Sequence, residues 1–221
     1  MTVDIKANLK AFLGDRLPDA RYASFDYCFN YFQDARASGE ADRLADEDHL
    51  MLSCLQLGFY LASWGMMRRR TGLLQRSLRE LVPVVKAIAA EPASTWNLGV
   101  ESYPDHAGEM IALGRRLRRA YTVSASDTLI TKTMLGVFGG VPAFDRFFRS
   151  GFGCYTFCKP ALARISKFYQ EHQPMIDAQR IYTLDFATKR ETERRYPTAK
   201  IIDMIFFQEG FDASGRPPEP E

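Results

Sequence analysis

Residues 50–67 have the sequence LMLSCLQLGFYLASWGMM and contain no charged side chain over 18 positions. Leucine, methionine and aromatic residues are spread around the whole wheel of a helix drawn over this segment, so we predict a helix that is apolar on every side. A helix of this kind belongs at the centre of a helical domain, where its neighbours bury it. The segment therefore predicts an all-α fold, a single compact multi-helix domain around a central apolar helix at 50–67.

The same segment also has the length of a marginal transmembrane helix. Acidic residues at 46–48 precede it and arginines at 68–70 follow it, and flanking arginines are typical of such helices. Ser53, Gln56 and Ser63 interrupt its apolar character. Amphipathic patterns elsewhere in the chain also need an apolar helix to pack against. The buried core helix is the favoured interpretation, and no membrane span is expected.

Helical periodicity continues along most of the chain, and strand signals are nearly absent. It predicts helices at 72–90, where Pro83 kinks or divides the pattern, at 105–123, from Pro160 onward, at 175–195 and at 199–209. Residues 91–104 are predicted to form a loop, in which Trp96 either walls a pocket or fixes the loop to the core. Residues 1–212 are predicted to be one domain, and residues 213–221 a disordered tail.

Composition indicates a folded globular protein, with 46% hydrophobic and 25% charged residues. The first ten residues, MTVDIKANLK, are polar and predict no signal peptide. The four cysteines are scattered along the chain, which favours reduced thiols. We therefore expect a cytoplasmic protein.

Charge is distributed unevenly along the chain, although the net charge is only +2. Residues 1–60 carry 6 Lys/Arg and 10 Asp/Glu, residues 61–170 carry 16 and 7, and residues 171–221 carry 7 and 10. A basic middle between acidic ends favours either an anionic partner for the centre or charge pairing between segments. DNA or another anionic polymer is one candidate partner, and a second protein is the other.

The segment most suggestive of chemistry is 127–151, DTLITKTMLGVFGGVPAFDRFFRSG. It predicts a helix, a break at Gly139 and Gly140, and a second helix opened by Pro142. Lys132 falls on the polar arc of the first helix, and Asp145 falls in the first turn of the second. Lys132 is then either a solvated surface lysine or an amine that faces a groove and attacks a sugar carbon. Asp145 either complements the helix dipole or stabilises positive charge beside that groove.

The lysine-bearing helix followed by VPAFDRFF resembles the later part of helix-hairpin-helix DNA glycosylases over about 25 residues. In that family a lysine attacks the sugar of a nucleotide flipped from the duplex and an aspartate assists. The resemblance implies these catalytic roles for Lys132 and Asp145. The glycine-rich hairpin of the family would fall at 124–130, where this chain has no glycine. The stretches LASWGM at 61–66 and KIIDMIFFQ at 200–208 resemble an uncharacterised family of helical bacterial proteins, which implies no activity.

Arginines form three groups in the basic middle of the chain, and guanidinium groups suit phosphate through paired hydrogen bonds. The predicted nucleic-acid-binding residues are Arg68, Arg69, Arg70, Arg115, Arg116, Arg146 and Arg149. They either converge on one surface or belong to separate helix ends and solvated faces.

Motifs for metals and nucleotides are missing from the sequence. The three histidines are isolated, and no HExxH, phosphate-binding loop or dinucleotide fingerprint occurs. We therefore expect no metal and no cofactor. The sequence favours a nucleic-acid-binding, glycosylase-like protein, active or degenerate. The alternative is a non-enzymatic protein–protein interaction module that uses the basic face or the apolar helix at 199–209.

Overall fold

The computed structural model describes residues 3–68 and 72–215. Its α-helices are α1 (Ile5–Gly14), α2 (Ser24–Ala37), α3 (Glu47–Ser63), α4 (Val82–Ala89), α5 (Ala93–Trp96), α6 (Tyr103–Ala120), α7 (Asp127–Phe138), α8 (Arg146–Phe152), α9 (Lys159–Asp177) and α10 (Thr198–Asp212). Two short strands, β1 (Tyr182–Leu184) and β2 (Glu191–Arg195), pair antiparallel. The predicted all-α fold class is confirmed. Of the tail predicted at 213–221, residues 216–221 lie outside the described residues.

Local chemistry sets the ends of the helices that carry the candidate site. Ser126 caps α7, since its side chain accepts a hydrogen bond from the amide of Leu129. Gly139 ends α7 and Gly153 ends α8, each with φ of +66°, a left-handed conformation that glycine adopts without a Cβ penalty. The predicted break at Gly139 is therefore confirmed.

The centre of the core is formed by α7 and α10, and the placement of residues 50–67 at the centre was wrong. Every residue of α7 from Leu129 onward is buried, as is every residue of α10 from Ala199 to Gln208. By contrast, α3 ends at Ser63 and exposes Met51, Leu55 and Phe59 by 69%, 47% and 69%. An uncharged helix satisfies the sequence pattern of a central helix even when only one of its faces is covered. No helix within residues 3–68 and 72–215 is both long and apolar enough to cross a bilayer.

The segment before α6 differs from the prediction of one helix at 72–90. Short 3₁₀ turns occupy Gly72–Gln75 and Leu78–Leu81, and α4 follows with Pro83 in its first turn, where its missing N–H costs nothing. Pro83 thus divides the pattern by starting a new helix, and it does not kink a continuous one. Trp96 fixes the following segment to the core, because it is 4% exposed and its Nε1 donates to the carbonyl of Glu91.

The helix predicted at 175–195 is also corrected, since α9 ends at Asp177 and the β1–β2 hairpin follows. The turn of the hairpin is closed by the Asp185 side chain, which accepts from the amide of Thr188, and by Lys189 in a left-handed conformation with φ of 59°. Strands of three and five residues are too short to give a clear alternation of polar and apolar positions.

A buried ionic network joins the hairpin to α1 and α2. The carboxylate of Asp26 accepts from Arg16 Nη1 at 3.2 Å, from the amide of Leu184 at 3.2 Å and from the hydroxyl of Tyr196. Burial raises the pKa of Asp26 to about 6, although Arg16 and the hydrogen bonds oppose the shift.

This raised pKa predicts an unusual pH dependence of stability. The folded state takes up a proton on Asp26 at a higher pH than the unfolded chain does, so stability contributed by this group rises as pH falls through 6. Between pH 7 and pH 5 the wild type should gain about 1.4 kcal/mol of unfolding free energy relative to Asp26→Asn. Urea unfolding of both proteins at the two pH values measures the difference. A difference that stays constant, or shrinks towards pH 5, would contradict the prediction.

Candidate functional site

Lys132 is a buried residue of α7 rather than a solvated one. Its side chain is 3% exposed, and its neighbours Thr131 and Thr133 are fully buried. The side of α7 on which Lys132 lies, predicted to be polar, therefore faces other parts of the protein. Gly136, one turn further along the same side, lies against the ring of Tyr60, where an added Cβ would be 2.4 Å from the ring.

Asp145 is the N-cap of α8, one residue before the first turn in which the sequence placed it. Its Oδ1 accepts from the amides of Phe147 and Phe148, both at 3.0 Å. Its Oδ2 accepts from Lys132 Nζ at 3.1 Å, and the Asp145 side chain is 15% exposed. Pro142 precedes the helix instead of opening it. The structure thus brings the two predicted catalytic side chains into a direct ion pair.

The segment 139–145 is held against α7 by hydrogen bonds at Phe144, the residue just before Asp145. Thr131 Oγ1 accepts from the amide of Phe144 at 2.8 Å, and Thr128 Oγ1 donates to the carbonyl of Phe144 at 2.8 Å. The amide of Asp145 in turn donates to the carbonyl of Ala143 at 2.8 Å. These bonds fix the Asp145 carboxylate toward Lys132.

Trp64 packs beside the ion pair on the turn that ends α3. Lys132 Nζ lies 4.9 Å from the centre of the Trp64 ring, a cation–π distance. The ring also contacts Phe207 edge-on, with ring centres 5.8 Å apart. The Lys132 ammonium therefore contacts both the Asp145 carboxylate and the ring of Trp64.

A hollow of about 400 Å³ opens beside these groups, and we call it the α7–α8 hollow. Its aromatic wall consists of Trp64, Phe147, Phe207 and Phe211. Its polar wall consists of Lys132, Asp145, Ser126, Thr128 and three arginines, Arg21, Arg68 and Arg146. The volume lies within the range of small-molecule sites. A flat aromatic ring that carries or adjoins negative charge matches such walls.

The predicted arginines divide into those that reach the hollow and those that do not. Arg68 and Arg146 line it, and Arg69 and Arg70 lie outside the described residues. Arg115 and Arg116 are on α6 away from it, and Arg116 forms a two-point ion pair with Glu91 at 2.7 and 2.6 Å.

Arg149 does not line the hollow either, and its buried Nε has no hydrogen-bond partner among the described residues. One arginine of the hollow, Arg21, was not predicted. It follows Pro18 and Asp19 in a short 3₁₀ turn, Arg21–Ala23, and no sequence motif distinguishes it.

A second buried ion pair lies behind the hollow on α10 and was also not predicted. Lys200 Nζ donates to Asp203 Oδ2 at 3.0 Å, and the two residues are 2% and 5% exposed. The alternative function offers the apolar helix at 199–209, which is α10, as one possible docking surface for another protein. Because α10 is buried within the fold, that surface is not available.

Asp203 is coupled electrostatically to the predicted catalytic pair. Burial raises the pKa of Asp203, the Lys200 ammonium lowers it in part, and the Asp145 carboxylate raises it. The two ion pairs therefore form one charged cluster in the interior.

Comparison with known proteins adds no assignment: no family model, curated protein or solved structure matches the chain. Within residues 3–68 and 72–215, no group of three or more His, Cys, Asp or Glu side chains is placed to hold a metal ion. The function proposed below therefore depends on the geometry of the α7–α8 hollow.

Proposed function

We propose that the protein is a DNA glycosylase of the lysine–aspartate type, with Lys132 as the nucleophile and Asp145 as its proton acceptor. The observation that carries the proposal is the 3.1 Å contact between Lys132 Nζ and Asp145 Oδ2 on the wall of an aromatic hollow. A nucleophile within hydrogen-bond reach of a base that is itself oriented by other groups is the general arrangement for covalent catalysis. Here the amides of Phe147 and Phe148 orient the base.

The chemical step follows from the two groups. Asp145 takes the proton of the Lys132 ammonium, and the freed electron pair on Nζ forms a bond to the anomeric carbon of the deoxyribose. The glycosidic C–N bond breaks, its electron pair leaves with the base, and the departing base takes the proton that Asp145 received from Lys132. The bond between the anomeric carbon and the ring oxygen then breaks, its electron pair and one proton from Nζ go to that oxygen, and a protonated imine remains between Lys132 and the sugar, which borohydride reduces to a stable amine.

The aromatic wall supports recognition of a nucleobase. Stacking of a base on an aromatic side chain contributes about 1–3 kcal/mol and needs no particular sequence. A base of a DNA duplex reaches a recessed site of this kind only when its nucleotide is flipped out of the duplex. Trp64 and Phe147 line the hollow together with Lys132, so a base that enters the hollow lies close to the amine.

The charge of the hollow supports a polyanionic substrate. Four cationic side chains (Arg21, Arg68, Lys132 and Arg146) and one carboxylate (Asp145) are among the described lining residues, which gives a net formal charge of +3. Phosphate groups of DNA provide the matching negative charge, and they dominate its affinity for proteins.

The alternative, a non-enzymatic interaction module, depends on the basic face because α10 is buried. It requires no chemistry at Lys132 and no preference for DNA. The two functions therefore differ in whether binding of a duplex depends on salt and on the arginines of the hollow.

A titration with duplex DNA containing one abasic site tests the binding step. We expect Arg146→Ala to weaken binding several-fold at 100 mM salt and to reduce the slope of log K against log salt by about 1, because one phosphate contact is lost. Arg146 is suited to the test because it is exposed and borders Asp145.

Arg115→Ala is the matched control, since Arg115 is an exposed helical arginine outside the hollow. Equal losses in the two variants would show that the hollow is not the DNA site. Binding that does not change with salt would favour the interaction module. Borohydride trapping on the abasic duplex tests whether Lys132 forms the imine with the sugar.

A further inference from the structure

We propose that Lys200 and Asp203 are positioning residues for the catalytic pair, and that their ion pair holds the segment 139–145 so that Asp145 faces Lys132. This inference rests on the proposed function for its catalytic meaning. It assigns a role to two buried charges that the chemical step itself does not use.

Burial of this ion pair costs hydration free energy, which argues against a role in stability alone. Lys200 and Asp203 are both buried in α10, among apolar residues. Replacing such a pair by well-packed apolar residues is often neutral or stabilising, because two charges must lose their hydration on folding. A function other than stability therefore explains why charges occupy these positions.

Asp203 reaches the catalytic segment through one hydrogen bond. Its Oδ1 accepts from the amide of Ala143 at 2.9 Å, while its Oδ2 accepts from Lys200. Ala143 is two residues before Asp145, and its carbonyl accepts from the amide of Asp145. A displacement of the Ala143 peptide would therefore move Asp145 relative to Lys132.

Lys200 orients this carboxylate and contacts the same tryptophan as Lys132 does. Its Nζ lies 4.8, 4.9 and 5.1 Å from the ring centres of Phe12, Phe25 and Trp64. The three rings lie around the ammonium, which donates to the carboxylate of Asp203 and so has a fixed location. Trp64 thus contacts the lysines of both ion pairs, Lys200 of the positioning pair and Lys132 of the catalytic pair.

The test compares two double variants that differ only in whether the acceptor for Ala143 is kept. Lys200→Met with Asp203→Leu removes both charges and the acceptor, whereas Lys200→Met with Asp203→Asn removes the charges and keeps an oxygen at Oδ1. Each is assayed for the rate of borohydride trapping on an abasic duplex, for the Kd of that duplex, and for amide hydrogen exchange of the 139–148 peptide. Glu91→Gln, a neutralised buried carboxylate away from the hollow, is the control.

We expect the leucine variant to trap about ten-fold or more slowly with an unchanged Kd, because loss of positioning affects the reacting geometry and not the binding surface. Its 139–148 amides should exchange faster than those of the wild type. The asparagine variant should restore both properties. Glu91→Gln should change neither, even if its melting temperature falls.

Trapping at the wild-type rate by the leucine variant, or unchanged exchange of the segment, would overturn the positioning role. If the wild type itself fails to trap, the proposed function fails, and the exchange comparison still decides whether Asp203 holds the segment. Should the leucine variant not fold, Lys200→Met with Asp203→Ala removes the same acceptor without adding volume.

Discussion

Lys132→Met is expected to abolish covalent trapping of an abasic duplex, with a loss of about 10³-fold or more, because it removes the nucleophile. Methionine has nearly the length of lysine and fills the same buried space beside Trp64. Asp145 keeps its hydrogen bonds from the amides of Phe147 and Phe148, so it is not left without partners. Denaturing gels after borohydride reduction measure the cross-linked product.

Asp145→Asn provides a second arm of this experiment. Asparagine can still cap α8, but it cannot accept the proton of the Lys132 ammonium, and trapping should fall by about 10²-fold or more. Lys86→Met is the matched control, since Lys86 is an exposed helical lysine that does not line the hollow. If Lys132→Met traps as the wild type does, another amine forms the adduct and the glycosylase proposal is wrong.

Gly210→Ala is expected to cause the largest loss of stability, about 3 kcal/mol or more of unfolding free energy. A Cβ on Gly210 would lie 2.0 Å from the carbonyl oxygen of Phe147, and a Cβ on Gly151 would lie 2.2 Å from the carbonyl oxygen of Phe206. Both contacts are with backbone, so α8 and α10 would have to move apart. Because Asp145 caps α8, the same movement would displace Asp145 from Lys132. Those Gly210→Ala molecules that do fold should therefore trap an abasic duplex more slowly than the wild type.

Gly14→Ala is the control for this substitution. Gly14 ends α1, and a Cβ there meets no atom within 4 Å, so we expect an unchanged or slightly raised stability from the better helix propensity of alanine. Chemical denaturation of the three proteins gives the comparison. A Gly210→Ala protein as stable as the wild type would mean that α8 and α10 do not approach as closely as described.

The sequence predicted the parts of the fold that depend on neighbouring residues. The helix that carries Lys132, its end at Gly139 and the start of α9 near Pro160 each follow from helical periodicity, from the φ that glycine allows and from the missing N–H of proline. The pairing of Lys132 with Asp145 was anticipated only as a hypothesis, since thirteen positions of separation do not fix a distance between two helices.

Other features could not be predicted because they depend on which faces meet. Residues 50–67 and α10 have similarly apolar sequences, yet only α10 has an unbroken buried run, from Ala199 to Gln208. On one side α8 packs closely against it through Gly151 and Gly210. Arg21 and Arg115 are both arginines without a distinguishing motif, and only Arg21 reaches the hollow.

The sequence by itself determined an all-α chain, the approximate positions of several helices, and the lysine and aspartate that flank one turn. The tertiary structure alone decided that these two side chains form an ion pair beside an aromatic hollow, and that Lys200 and Asp203 lie buried behind it. The physical reason is that capping and periodicity act within a few residues. Burial, ion pairing and the shape of a cavity arise where segments distant in the chain pack together.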